Sequence, residues 1–168
     1  KYKMHLEEYL IEYPEFLSED TWEKDFKYPP FVLIGGGEGR FREEIKALYM
    51  NVTKQSPIIL TDNITAEATK LVMNAWFSTK VIFANQIFDW CQASGANYER
   101  IKECLERHPF GMKNHATIFY KGRRGVHGKC LPKDIKALIQ LAAAKGIDLK
   151  LHKTAEEINN ELMRQQGI

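Results

Sequence analysis

The sequence has few cysteines and no long apolar run. Its three cysteines, Cys91, Cys104 and Cys130, are an odd number without CxxC spacing, so neither a disulfide framework nor a metal site is expected. The longest apolar stretches are interrupted, for example by Lys80, and stay far below the roughly 20 residues of a membrane-spanning helix. No signal peptide is recognisable, and the sequence therefore predicts a protein of a reducing, cytoplasmic compartment.

The sequence also lacks a strong excess of charge of either sign. Its 24 Lys and Arg residues against 22 Asp and Glu residues give a formal net charge of +2, which is too small to indicate a nucleic-acid partner. A short basic run, KGRR at 121–124, leaves phosphate or nucleic-acid binding as a weaker alternative. The length and the 44% hydrophobic content are ordinary for one compact domain or two small lobes.

Strand and helix alternate in the first part of the chain. The aromatic and aliphatic run YLIEY predicts a strand at 9–13, FVLIGG predicts a second at 31–36, and a third is expected at 58–60. A helix is predicted to begin near Glu38. The triple glycine before it does not match GxGxxG, because Arg40 stands at the third glycine position, so we interpret it as a strand-to-helix turn.

The rest of the chain is predicted to be helical. Residues 65–94 contain no glycine or proline and are apolar on most faces, which predicts one helix of roughly 45 Å that other helices or a partner subunit must cover. Shorter helices are predicted at 98–107, 132–145 and 154–166. The expected fold is therefore an α/β edge followed by a mainly α-helical domain with one long central helix.

The segment GRRGVHGKCLPKD at 122–134 is the strongest candidate for chemistry. Cys130 precedes a helix start, where free N–H groups and the positive dipole end stabilise a thiolate, and Lys129 and Lys133 add positive charge. Asp134 follows four residues later on the same side of the first turn, close enough to position a water or hold a cation. The alternative is a small buried hydrophobe, the commonest role of a lone cysteine.

Two further groups of polar residues are candidates. Glu67, Lys70 and Asn74 fall at i, i+3 and i+7 on the long helix, where a lysine can stabilise an oxyanion and an amide can hold a water. Glu15 and Glu19 follow the first strand, where open α/β sheets place ligand contacts. The alternative for the stripe on the long helix is a solvated face, and paired loop carboxylates such as Glu15 and Glu19 are usually solvated.

Taken in order, the motifs PEFLSED, AEATKLVMNAWFSTKVIFANQI and GKCLPKD resemble the UDP-glucose/GDP-mannose dehydrogenase family over nearly the whole chain. The resemblance implies that 1–62 are the last strands of a Rossmann-like NAD-binding domain and that 63–168 are a central helical domain for dimerisation and catalysis. It also implies oxidation of the 6-hydroxymethyl group of a nucleotide-linked sugar to a carboxylate, with two NAD reduced, by a homodimer formed through helix 65–94.

The resemblance gives the candidate residues specific roles. Cys130 matches the nucleophile that forms a thiohemiacetal and then a thioester. Lys70 matches the lysine that stabilises the oxyanion, Asn74 its neighbouring amide, and Asp134 the aspartate near the catalytic lysine and water. Glu15 matches a carboxylate of the site.

Further roles implied by the resemblance concern water, substrate and cofactor. Glu19 matches the glutamate that assists water in thioester hydrolysis. The cofactor contacts are unknown, with Lys133 as a candidate. The implied substrate contacts are Phe16, Leu17, Gly125, Gly128 and Lys129.

The chain also departs from the family pattern. The family writes GFGG before the nucleophile motif, whereas this chain has GVHG, so His127 stands beside the thiol in place of a glycine. The family's substrate-binding arginine has no clear counterpart at 110–115. The glycine-rich NAD loop would precede Lys1 and the C-terminal nucleotide-binding domain would follow Ile168. We therefore expect a central segment or shortened relative of such an enzyme, with a non-catalytic dimerisation scaffold as the alternative.

Overall fold

The computed structural model describes residues 11–17, 20–37, 39–53 and 56–168. The chain divides into two compact units, Lys1–Lys70 and Leu71–Ile168. The division into domains at 1–62 and 63–168 stays a prediction about the ancestry of the two segments. Among the helices of the described residues, none is both long and apolar enough to cross a membrane.

The first unit contains a three-stranded sheet with the order β1-β2-β3. The first two strands are antiparallel, and the second and third are parallel with Val32 opposite Ile58. The parallel pair is joined by a helix, as a parallel connection requires. The elements in chain order are β1 (Ile11–Glu12), α1 (Trp22–Lys27), β2 (Val32–Gly36), α2 (Gly39–Thr53) and β3 (Ile58–Thr61).

The central strand β2 is the buried part of this sheet. Val32, Leu33 and Ile34 are 1%, 4% and 0% exposed, as expected for an apolar strand covered on both faces. At Gly35 an added Cβ would lie 2.4 Å from the Cβ of Ala66. The strand therefore ends in glycine because a helix passes directly over it.

Three sequence predictions in this unit need comment. The predicted turn at the triple glycine agrees with the structure, since β2 ends at Gly36 and α2 begins at Gly39, while Glu38 itself lies outside the described residues. Of the strand predicted at 9–13, the described ladder covers Ile11–Glu12. The short helix α1 was not predicted, and it buries none of its residues.

The second unit is helical and includes most of one long helix. The helix α3 (Asn63–Ser94) begins in the first unit, has 32 residues without a break, and ends at Gly95, whose φ is +77°. The predicted α/β edge followed by a mainly helical domain with one long helix is therefore confirmed. The helices that follow are α4 (Tyr98–Arg107), α5 (Cys130–Ala144) and α6 (Lys150–Gln165).

The predicted bounds are right for α4 and wrong for the starts of the last two helices. Helix α4 is capped by Asn97, whose side chain accepts a hydrogen bond from the Arg100 N–H. Helix α5 begins at Cys130 rather than at Pro132, because proline is tolerated throughout a first turn whose N–H groups have no helical partner. Helix α6 begins at Lys150, four residues before the predicted start, without a side-chain cap that the sequence could reveal.

Two apolar clusters hold the second unit together. The first contains Cys91, Tyr98 and Ala116 and packs α3 and α4 against the segment after α4. The second joins α3, the loop before α5, and α6, and its buried members are Ile82, Val126, Ala155 and Leu162. The loop that precedes Cys130 is thus anchored in a core through Val126.

Candidate active site

Cys130 is the first residue of α5 and its thiol is exposed. Exposure excludes the alternative of a small buried hydrophobe, a role that Cys91 fills instead. The preceding residue, Lys129, occupies the N-cap position and makes no side-chain cap. The first-turn N–H groups of α5 and its helix dipole therefore offer partial positive charge to a thiolate.

A tight turn begins the loop before Cys130. Tyr120 and Arg123 exchange both main-chain hydrogen bonds, at 3.0 and 3.1 Å. The two residues between them, Lys121 and Gly122, have φ values of +50° and +77°, the conformation of a two-residue hairpin turn. The basic run at 121–124 is thus a turn of defined geometry.

Behind Cys130, a buried polar pair joins α5 to α3. Asn74 and Asp134 are 5% and 3% exposed, and Asn74 Nδ2 donates to Asp134 Oδ2 at 2.5 Å. Lys133 Nζ donates to the other carboxylate oxygen at 2.6 Å. This hydrogen bond and the negative charge of Asp134 raise the pKa of the Lys133 ammonium. Cys130 and Asp134 are four residues apart in α5, which is compatible with the predicted shared side of the helix. Asp134 is buried and bonded to α3, whereas Cys130 is exposed.

In the first unit, Lys70 holds the segment that leaves β1. Its ammonium donates to the main-chain carbonyl of Glu15 and lies 5.2 Å from the ring centroid of Phe16. The side chains of Glu15 and Glu67 are exposed, and Leu17 is 36% exposed. The structure thus brings Glu15, Phe16 and Lys70 together. Glu19 lies outside the described residues.

The two glycines predicted to contact substrate differ in their surroundings. Gly125 is buried, and a Cβ added there would lie 2.7 Å from Asn159 Oδ1. Gly128 is exposed with φ of +87°, and a Cβ added there would meet open space. Gly128 thus leaves room in the loop before Cys130, and Lys129 after it is exposed. Their contact with substrate stays a prediction.

His127 lies against an aromatic ring. It stacks on Tyr120 with 5.6 Å between ring centroids and 26° between the planes. Its Nε2 atom is buried and has no hydrogen-bond partner in the described part of the chain. His127 is therefore half-buried within the loop before Cys130.

The described residues do not fit a dinucleotide at the triple glycine. Added Cβ atoms would lie 2.4 Å from Ala66 at Gly35 and 2.9 Å from Ile11 at Gly37, so these glycines accommodate protein atoms rather than a phosphate. Lys133, the one predicted cofactor contact, is paired with Asp134. Within the described ranges, no group of three or more His, Cys, Asp or Glu residues could hold a metal ion.

Sequence reasoning missed the residues that hold the loop from the far side. Asn159 and Gln166 both bind the main chain of the loop, and Arg124 binds α3. Asn159 and Gln166 are seven residues apart, which corresponds to two turns on one face of a helix, and this spacing was the available signal. That signal is weak, because polar residues recur in this way on any solvated helix.

Comparisons with known proteins agree with one another. Residues 64–161 match the model of the UDP-glucose/GDP-mannose dehydrogenase family, central domain. The chain is 32% identical over 165 residues to the UDP-glucose 6-dehydrogenase of Rhizobium meliloti, which covers 94% of the chain and 36% of that protein. It is 32% identical over 140 residues to the GDP-mannose 6-dehydrogenase of Pseudomonas syringae pv. tomato, covering 82% of the chain and 31% of that protein.

A solved structure shows the same fold. The UDP-glucose dehydrogenase from the archaeon Pyrobaculum islandicum superposes with a TM-score of 0.75 at 23% identity, covering 94% of this chain and 37% of that one. The chain thus spans about a third of the length of the relatives that it matches.

Proposed function

Because the chain belongs to the UDP-glucose/GDP-mannose dehydrogenase family, we propose that it carries the nucleophile of an NAD-dependent nucleotide-sugar 6-dehydrogenase. The substrates named for its relatives, UDP-glucose and GDP-mannose, define the substrate class. The observation that carries the proposal is the exposed thiol of Cys130 at the first residue of α5. A helix N-terminus is where a thiol is most readily used as a nucleophile.

In this proposal Cys130 acts twice without any change of oxidation state. Its thiolate adds to the C6 aldehyde of the sugar, so that a carbon–sulfur bond forms and the carbonyl electrons move to oxygen. The Lys70 ammonium stabilises that oxyanion, as the resemblance implies. At the thioester stage water adds to the same carbon, the carbon–sulfur bond breaks, and the thiolate is released with the carboxylate product.

The buried pair of Asn74 and Asp134 and the carboxylates after β1 complete the assignment. An amide and a carboxylate can orient a water, and Asn74 and Asp134 are already fixed by their mutual hydrogen bond. Glu19 is assigned the assistance of water in hydrolysis and Glu15 a supporting carboxylate. When bound, NAD would accept one hydride from the C6 alcohol, which gives the aldehyde, and a second NAD would accept the hydride of the thiohemiacetal, which gives the thioester. At the triple glycine the described residues do not fit it, and Lys133 stays the one proposed contact.

The test of this proposal is removal of the thiol. In the full protein, Cys130→Ala is expected to lower the rate of NADH formation from UDP-glucose or GDP-mannose by roughly a thousandfold or more. Cys104→Ala is the matched control, since Cys104 is also exposed but lies in α4. Full activity of Cys130→Ala would disprove the proposal, and so would equal losses in the two variants.

A dimerisation scaffold is the second candidate function, and the surface of α3 favours it. Val72, Trp76, Phe83 and Trp90 are 52%, 54%, 47% and 57% exposed. Their intervals of four, seven and seven residues place them on one face of the helix. A row of large apolar side chains of this kind is typical of an interface, and we propose that a second copy of the chain covers it.

Sedimentation of two tryptophan variants tests the homodimer. Trp90→Lys is expected to convert a dimer into a monomer, because a charge would be buried in the interface. Trp22→Lys is the matched control, since Trp22 is also 57% exposed but lies on α1. A wild-type chain that is strictly monomeric, or a dimer that Trp90→Lys leaves intact, would exclude this interface.

A further inference from the structure

The side-chain amides of Asn159, in α6, and of Gln166, the C-cap of α6, bind the main chain of the loop before Cys130. Val126 N–H donates to Asn159 Oδ1 at 2.6 Å, and Asn159 Nδ2 donates to the Val126 carbonyl at 2.9 Å. Arg124 N–H donates to Gln166 Oε1 at 2.8 Å, and Gln166 Nε2 donates to the Arg124 carbonyl at 3.2 Å. Each amide thus makes the two bonds that a neighbouring β-strand would make.

The residue between the two paired positions must be a glycine. Gly125 has φ of +82°, and a Cβ added there would lie 2.7 Å from Asn159 Oδ1 and 2.9 Å from the terminal methyl of Met163. A side chain at this position would push the Asn159 amide away from Val126. The sequence of the loop is therefore matched to the amides that bind it.

The side chain of Arg124 also fixes the loop, by binding α3. Its Nε donates to Asn85 Oδ1 at 3.0 Å, and its guanidinium lies 2.7 Å from an Asp89 carboxylate oxygen. The same group lies 5.1 Å from the ring centroid of Phe88. The side chain of Arg124 is only 17% exposed, so the loop is tied to α3 by a paired and largely covered charge.

We propose that Asn159 and Gln166 are positioning residues for the Cys130 thiol. By fixing the main chain at Arg124 and Val126, they set the path of the three residues, 127–129, that lead to the start of α5. The inference rests on the proposed role of Cys130 as nucleophile. A nucleophile held in place loses less freedom when it reacts, so the amides lower the barrier of the chemical step rather than strengthen substrate binding.

The experiment compares Asn159→Ala with Asn160→Ala in the full protein. Asn160 is exposed on the same helix, and no hydrogen bond of the described residues joins it to the loop. Asn159→Ala is expected to speed hydrogen exchange of the Val126 amide about tenfold. It should also slow alkylation of Cys130 by iodoacetamide about threefold or more relative to Cys104, since the first turn of α5 loosens. Asn160→Ala should change neither rate.

Steady-state kinetics supply the readout that a purely structural role would not move. With UDP-glucose and with GDP-mannose as probes, Asn159→Ala is expected to lower kcat about tenfold while KM stays within about twofold. Gln166→Ala is the second variant, because Gln166 is exposed and is the C-cap of α6 rather than part of the helix. Gln166→Ala should speed hydrogen exchange of the Arg124 amide and, like Asn159→Ala, lower kcat.

The outcomes separate the positioning role from the proposed function. Faster exchange in the loop with unchanged Cys130 alkylation and unchanged kcat would overturn the inference, and so would equal changes of alkylation at all three cysteines. If wild type oxidises neither nucleotide sugar, but Cys130 alkylation still follows the amides, the proposed function fails and the positioning role stands.

Discussion

Asn74 and Asp134, sixty residues apart in the chain, form a buried hydrogen bond of 2.5 Å that joins α3 to α5. Asn74 follows Lys70 by four residues and Asp134 follows Cys130 by four residues. Lys70 thus lies about one helical turn before Asn74, and Cys130 about one turn before Asp134. The resemblance assigns both Lys70 and Cys130 to the chemistry.

Removing the amide of this pair should cost stability. Asn74→Ala leaves a buried carboxylate with one donor fewer, and a lost hydrogen bond to a charged group is worth about 1.5 to 3 kcal/mol. We expect the free energy of unfolding in urea to fall by that amount. Asn160→Ala, an exposed amide on α6, is the control and should stay within about 0.5 kcal/mol of wild type. Equal effects of the two variants would contradict the structural importance of the pair.

The three cysteines should differ in reactivity in a fixed order. Cys130 is exposed at the first residue of α5, whereas Cys104 is exposed in the last turn of α4, where the helix dipole opposes a thiolate. Cys91 is 1% exposed. Iodoacetamide labelling followed by peptide mass spectrometry should therefore modify Cys130 first, Cys104 more slowly and Cys91 last.

Urea provides the control for this order. Once the chain is unfolded, the three thiols lose their different surroundings and their labelling rates should converge. Equal rates at Cys130 and Cys104 in the folded protein would show that the start of α5 does not activate the thiol.

The sequence predicted the bounds of those helices whose ends are marked by a capping side chain, a proline or a glycine. Helix α4 lies between the capping side chain of Asn97 and the proline at 109, so its predicted bounds agree with the structure. Helix α3 ends at Gly95 for a similarly local reason. The start of α6 at Lys150 has no capping side chain, and the short helix α1 buries nothing, so neither left a pattern in the sequence.

The candidate site was predictable residue by residue but not as a set of contacts. The glycines, lysines and helix start around Cys130 are local features, and local features singled it out. The bond from Asn74 to Asp134 and the bonds from Asn159 to Val126 join distant parts of the chain, and no spacing rule indicates them. The i, i+4 rule predicts Asp134 and Cys130 on one side of the helix, but it does not indicate that Asp134 is buried against α3 while Cys130 stays exposed.

The two glycines of the loop before Cys130, Gly125 and Gly128, should respond differently to the same substitution. Both Gly125 and Gly128 have positive φ, so alanine at either position costs roughly 1 to 2 kcal/mol of backbone strain. At Gly128 the new Cβ meets open space, whereas at Gly125 it displaces the Asn159 amide. Gly125→Ala should therefore lower the free energy of unfolding by about 1 kcal/mol more than Gly128→Ala. Equal losses in urea denaturation would show that Asn159 adapts without cost.

Tyr98 should make stability fall at alkaline pH. Its hydroxyl donates to the Ala116 carbonyl at 2.7 Å, and burial raises the pKa of Tyr98 to about 12. An unfolded tyrosine loses its proton near pH 10. Between pH 10 and 12 the unfolded chain therefore binds fewer protons than the folded one. The stabilisation is fully present below pH 10 and is lost as the pH rises to about 12. The free energy of unfolding should fall by about 2 to 3 kcal/mol over this range.

Tyr98→Phe removes the titrating group and keeps the ring, so it isolates this effect. At pH 8 the variant should be about 1 kcal/mol less stable than wild type, because the hydrogen bond to Ala116 is lost. As the pH rises from 10 to 12 the gap should close and then reverse, since only wild type carries the hydroxyl that ionises on unfolding and it loses about 2 to 3 kcal/mol over this range. Tyr28→Phe, at a tyrosine that is 75% exposed, controls for the general effect of alkali. Stability curves for wild type and Tyr98→Phe that stay parallel up to pH 12 would mean that the buried hydroxyl does not couple folding to pH.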